Sequence, residues 1–144
     1  MQQGSAAYLA WLDRLRESAL PDLEQVRILL SGVSEWNAWR RKNRNERLRL
    51  QRIELGGADL HAVDLADGNL YGAHLVSAKL QDANLRNAIL NTANLNRADL
   101  TGADLSHAFL GRADLKESRR PAWNYTIRPR TPDTTSVQLR EVVL

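Results

Sequence analysis

The residues of this chain best suited to chemistry are its three histidines and its aspartates. His61, His74 and His107 stand at unrelated intervals, and no two have the short spacing that presents a ligand pair to a metal. No serine–histidine–carboxylate arrangement can be argued around them either. Asp59, Asp64, Asp99, Asp104 and Asp114 each immediately precede a leucine. Paired carboxylates can divide acid and base roles, but these five recur in step with the leucines, which assigns them to solubility and turn bonding. The chain has no cysteine, so thiolate nucleophiles, disulfides and cysteine-bound metals are removed together. Gly56-Gly57 is a single pair and no glycine-rich phosphate loop. No catalytic, cofactor-binding or metal-binding residue is assigned, no cofactor is expected, and the expected role is non-enzymatic.

What positions these residues is a repeat. Leucine occupies every fifth position from Leu50 through Leu55, Leu60, Leu65, Leu70, Leu75, Leu80, Leu85, Leu90, Leu95, Leu100, Leu105 and Leu110 to Leu115. Two residues before each stands an alanine, except at Leu48, Ile53, Val63 and Gly68. On an α-helix five residues turn about 500°, so successive leucines step about 140° and cover every face. On a flat strand, Leu60 and Leu65 fall on opposite sides. All the leucines point inward only if the chain turns a corner after each repeat, which predicts a β-solenoid of stacked coils around a leucine core.

The units Ala58-Asp59-Leu60, Ala83-Asn84-Leu85, Ala93-Asn94-Leu95, Ala98-Asp99-Leu100, Ala103-Asp104-Leu105 and Ala113-Asp114-Leu115 resemble the A-(D/N)-L-x-x pattern of pentapeptide-repeat proteins. The resemblance implies a right-handed quadrilateral β-helix, four repeats to a coil and about three coils here. With strands about 4.8 Å apart, such a stack is about 16 Å tall. Three regions follow: an α-helical N-terminal cap over 1–47, the β-helix over 48–117, and a proline-containing tail over 118–144 as an end cap or dimer contact.

The ends carry their own signals. Ser5 suits the cap of a first helix bearing Tyr8, Leu9, Leu12, Leu15 and Ala19 on one face. Pro21 suits the first turn of a second, with Leu23, Val26, Leu29, Leu30 and Val33 on its face and Gly32 as a candidate break. Trp36 and Trp39, in the phrase Trp36-Asn37-Ala38-Trp39-Arg40, are read as plugs for the open end of the coil. From Arg40 to Arg52 run Arg40, Arg41, Lys42, Arg44, Arg47, Arg49 and Arg52 against Glu46 alone. This run reads as a solvated helix C-terminus in preference to a nucleic-acid or membrane contact. Trp123, Tyr125 and Ile127 alternate in a strand-like way, and Val137–Leu144 is an apolar segment that packs back or pairs with a second copy.

The function is expected at the surface. Residues twenty apart share a face, so Asn69, Ile89 and Phe109 form one column, with Tyr71 nearby. Elsewhere from Glu54 onward the position before leucine is Asp, Asn, Glu, Lys or His, which makes Ile89 and Phe109 two apolar exceptions on one side and a candidate site for a partner protein. The reading that terminal segments cover the column stands beside it. The expected function is a protein–protein interaction module or scaffold. The alternative implied by the family is a DNA mimic that binds or protects DNA gyrase, a type II topoisomerase, which calls for a long, strongly acidic rod. Here the excess of basic over acidic residues, 20 against 17, sits at the ends of the chain around a weakly acidic body. Neither a signal peptide nor a stretch of 18 apolar residues is visible, and the expected location is the cytoplasm.

Overall fold

In the computed structural model, which describes Ala7 and residues 20–121, the chain returns beside itself every twenty residues. Arg49 bridges Asn69, Asn69 bridges Ile89 and Ile89 bridges Phe109, all in parallel, and the columns that start at Glu54, Asp59 and Asp64 repeat the step. Each coil thus consists of four five-residue sides. The N–H of Leu50 donates to the Asn69 carbonyl at 2.9 Å and that of Asn69 to the Leu48 carbonyl at 2.9 Å, a pattern that persists to Leu100 and Arg119 at 2.7 Å. Among the described residues no side is longer than a single bridge. The rest of each repeat is spent on the corner.

The corner is the same each time. The Ala58 N–H donates back to the Leu55 carbonyl at 3.1 Å, and equivalent bonds close the turns from Leu70 to Ala73 and from Leu90 to Ala93 at 3.0 Å. The second residue after each leucine has positive φ, from 57° at Glu117 to 62° at Asp67 for non-glycines, with Gly57, Gly72 and Gly102 completing the series. The first residue after leucine never does so, which identifies a type II turn. A residue other than glycine costs about 1–2 kcal/mol in this region. The cost is offset by what the turn achieves, the burial of leucine after leucine, since every leucine from Leu50 to Leu115 is buried.

Four positions depart from alanine, and three of them, Leu48, Ile53 and Val63, are buried in the first coil, where larger side chains fill the end of the core. Gly68 stacks above Leu48. A β-carbon there would lie 2.9 Å from the Leu65 carbonyl and 3.5 Å from Leu48 Cδ1, so the large residue and the glycine form a matched pair.

Among residues 20–121 two helices precede the coils: α1, Leu23–Ser31, and α2, Val33–Lys42. Asp22 caps α1, its Oδ1 accepting from the N–H groups of Glu24 and Gln25 at 3.0 and 3.2 Å. Pro21 therefore stands before the cap, outside the first turn in which the sequence pattern placed it. Gly32, at φ 137°, breaks the two helices apart. Of the expected apolar face, Leu29 is buried, Val26 and Val33 pack partly against the core, and Leu23 and Leu30 are exposed. Apart from Ala7, which is helical, the helix expected after Ser5 lies outside the described residues, as do the tail segments with Trp123, Tyr125 and Ile127 and with Val137–Leu144.

Neighbouring substitutions should act in opposite directions. Thr92, β-branched at φ 61°, should gain about 0.5–1 kcal/mol on Thr92→Asn, because asparagine tolerates this conformation. Ala93→Leu should lose about 1–3 kcal/mol by overpacking a buried site. Urea denaturation of the two variants checks both signs.

Candidate interaction surface

The first coil has a free edge, and α1 and α2 occupy two of its sides. On one, the Asp22 N–H donates to the Arg49 carbonyl at 2.7 Å, and the Arg49 N–H donates to Gln25 Oε1 at 2.7 Å. Gln25 Nε2 reaches the Arg47 carbonyl at 2.7 Å, and the Arg49 guanidinium lies 3.3 Å from Asp22 Oδ2. On another side, the buried Trp36 donates its indole N–H to the Asp64 carbonyl at 2.7 Å. Asn37 takes the Asp64 N–H at 2.9 Å and donates to the Ala62 carbonyl at 3.0 Å. Trp39 packs on Trp36 with ring centroids 5.1 Å apart and is partly buried against the core. The bonds to the N–H and carbonyl of Arg49 and of Asp64 go to edge groups that in later coils are taken by the coil below, so side chains of the helices stand where a preceding coil would be.

Arg40 is the functional residue that the sequence reading missed. Counted there among the surface cations, it is 5% exposed and donates to the carbonyls of Asn43, Arg44 and Glu46 at 3.0, 3.1 and 3.3 Å and of Ala66 at 3.1 Å. Only the guanidinium fork reaches so many acceptors at once. Its signal was its place in the tryptophan phrase, one helical turn after Trp36.

The outer face of the coils follows a local rule. The residue before leucine, when Asp or Asn, accepts the N–H two residues on: Asn69 from Tyr71 at 3.1 Å, Asn94 from Asn96 at 3.1 Å, Asp114 from Lys116 at 2.9 Å. Asp99 and Asp104 add a hydroxyl, from Thr101 and Ser106, each at 2.6 Å. The Thr101 hydroxyl and then its N–H hold the Asp99 carboxyl below its ordinary value, against a small effect of burial. At Asp104 burial pushes upward, but the Ser106 hydroxyl and N–H and the Arg86 guanidinium outweigh it and the net shift is downward.

Ile89 and Phe109, like Lys79, cannot accept that bond, and unlike every other residue before a leucine they are apolar. They are bridged side by side. Phe109 is 45% exposed and Ile89 half-buried, so among the described residues no segment encloses the column at Phe109. Tyr71, 43% exposed, lies at the corner beyond Asn69, where its carbonyl accepts from Arg52. It adjoins the column without belonging to it. His61 and His74 stand apart on the outside, His61 near Asp82 at 3.5 Å and His74 near Glu54 at 3.7 Å, and no cluster of metal-ligating groups occurs among the described residues.

The sequence profile of the family described as "Pentapeptide repeats" matches residues 53–91 and 93–119 in eight copies, in phase with the bridged coils. A pentapeptide-repeat protein from Nostoc, alr5209, is 30% identical over 63% of this chain and 75% of its own, with a TM-score of 0.40. This chain belongs to the pentapeptide-repeat family. A second pentapeptide-repeat protein of known structure, HetL from the cyanobacterium Nostoc, involved in heterocyst differentiation regulation, is 31% identical over 66% of this chain. The match covers 46% of HetL, with a TM-score of 0.33. No curated protein matches this pentapeptide-repeat protein in sequence.

Two outcomes test the geometry. Asp99 and Asp104 have lowered folded values, so their ionised forms contribute stability above the unfolded value of about 3.9, and this contribution is lost as pH falls through the folded values. The urea midpoint should therefore drop below about pH 4, and by less in Asp99→Asn, which keeps the turn acceptor without the charge. Arg40→Lys should destabilise by about 2 kcal/mol or more, since one ammonium cannot serve all four carbonyls, and hydrogen exchange should show the loss first in 43–47.

Proposed function

We propose that this pentapeptide-repeat protein is a non-enzymatic interaction module: a short right-handed quadrilateral β-helix, closed at its N-terminal end by α1 and α2, that presents the Ile89–Phe109 column to a partner protein. The observation that carries the reading is the pairing of two exceptions. Ile89 and Phe109 both forgo the turn bond that Asp and Asn make at this position, they are bridged to one another, and Phe109 remains exposed. Residues that break a local rule without a gain in folding are the ones to assign to function. Contact with a partner would recover about 25 cal/mol for each Å² of apolar surface removed from water, and an aromatic anchor is a common centre of such contacts. Tyr71 supplies a rim contact at the adjoining corner. The involvement of HetL in regulation is consistent with a role of this kind.

Phe109→Asn tests the proposal because it restores the turn acceptor while removing the anchor. The variant should melt at or above the wild-type temperature and should lose partner proteins that wild type captures from the native host. Unchanged capture would place the binding surface elsewhere, and a large loss of stability would show that the column serves the fold.

A further inference from the structure

The buried Arg40 determines what its neighbouring loop presents to solvent. Three of the carbonyls that converge on its guanidinium, those of Asn43, Arg44 and Glu46, belong to the loop that follows α2. A trans peptide unit is planar, so each carbonyl and the N–H of the next residue point in opposite directions. The amides of Arg44, Asn45 and Arg47 therefore face away from Arg40. None of the three donates to another group among the described residues.

The same loop lines a cleft of about 660 Å³ whose walls include Lys42, Arg44, Arg47 and Arg49, with Asp22 and Glu46 opposing them. Asp22 is already engaged by the α1 amides and by Arg49. Lys42, Arg44 and Arg47 are exposed and carry no ion pair among the described residues, which leaves three uncommitted cations against Glu46. The negative end of α2 would ordinarily repel an anion. Here two of its four terminal carbonyls are occupied: that of Trp39 accepts from Asn43 Nδ2 at 2.8 Å and that of Arg40 from the Asn43 N–H at 3.2 Å, beside the buried guanidinium.

From these features we infer that the cleft between α2 and the first coil is an anion site for a phosphate group, a phosphate monoester or a diphosphate. Backbone amides held outward by a fixed loop provide donors that need no ordering on binding, and arginines match the several oxygens of a phosphate better than a single carboxylate does. A nucleic-acid strand fits less well, because it requires a continuous basic track, whereas residues 51–115 hold more acidic than basic groups. The site is independent of the Ile89–Phe109 surface.

Pyrophosphate titrated into the full chain, followed by amide chemical shifts, is the test. The expected result is saturable one-site binding with the largest shifts at Arg44, Asn45 and Arg47. Arg44→Gln/Arg47→Gln should weaken it at least tenfold and Lys42→Gln to a smaller degree, while Arg97→Gln, in the distant Arg97–Glu117 pair, should leave it unchanged. All three site cations are exposed, so the variants should keep the wild-type melting temperature. If one melts, the remaining single variants decide. Sedimentation with phosphatidylcholine vesicles containing phosphatidic acid identifies the source. Vesicle binding that depends on Arg44 and Arg47, without pyrophosphate binding, supports a lipid phosphate. Non-saturating shifts, or equal binding in wild type and the double variant, together with no such vesicle binding, overturn the inference.

Discussion

Everything in this molecule depends on a turn that brings the chain round once every five residues. The bond from the residue before each aspartate or asparagine back to the preceding leucine carbonyl, with the intervening residue at positive φ, lets consecutive leucines enter one core. Four such corners restore the register, and the parallel bridges between coils follow from it. The local conformation is unfavourable for most of the residues that adopt it, and no single repeat buries enough to hold it. Stability is therefore collective: each coil supplies the hydrogen-bond partners and the apolar neighbours of the next.

A stack of this kind has ends, and the N-terminal end shows how one is managed. An edge of unpaired backbone groups invites association with other chains. Here Asp22, Gln25, Trp36, Asn37 and Arg40 take up edge groups on two sides of the first coil, each through a hydrogen bond whose geometry mimics the missing ladder. The side chains do more than cover. Arg40 also shapes the loop that joins helix to coil, so the residue that seals the end is the one that turns three amides of that loop away from the core. Structural closure and a candidate ligand site thus share one buried cation.

The outer surface is governed by the same turn. Asp and Asn before leucine are local turn-bonding residues, which is why the acidic groups of the body are no candidates for catalysis. Against that background an apolar residue at the position is costly in a small, identifiable way, since it leaves the N–H two residues on without its local acceptor. Ile89 and Phe109 are the two apolar residues at this position, they are bridged in one column, and Phe109 is exposed.

The spacing of leucine and alanine by itself determined the coil and the buried set, because only a chain that turns after each repeat buries every leucine; the twenty-residue period, and with it the placement of Ile89 beside Phe109, came from the resemblance to pentapeptide repeats. The pairing of Leu48 with Gly68 was visible only as two irregularities until the stacking set one above the other. Tertiary structure alone decided the rest. The sequence reading put Arg40 in a solvated basic run, and composition cannot tell a solvated guanidinium from one enclosed by four carbonyls that come from two separate segments. It likewise gave α1 an apolar face by helical spacing, yet Leu23 and Leu30 stay exposed, because the helix meets the coil through Asp22, Gln25 and Leu29. Periodicity reports which residues share a face; only the packed partner decides which face is buried.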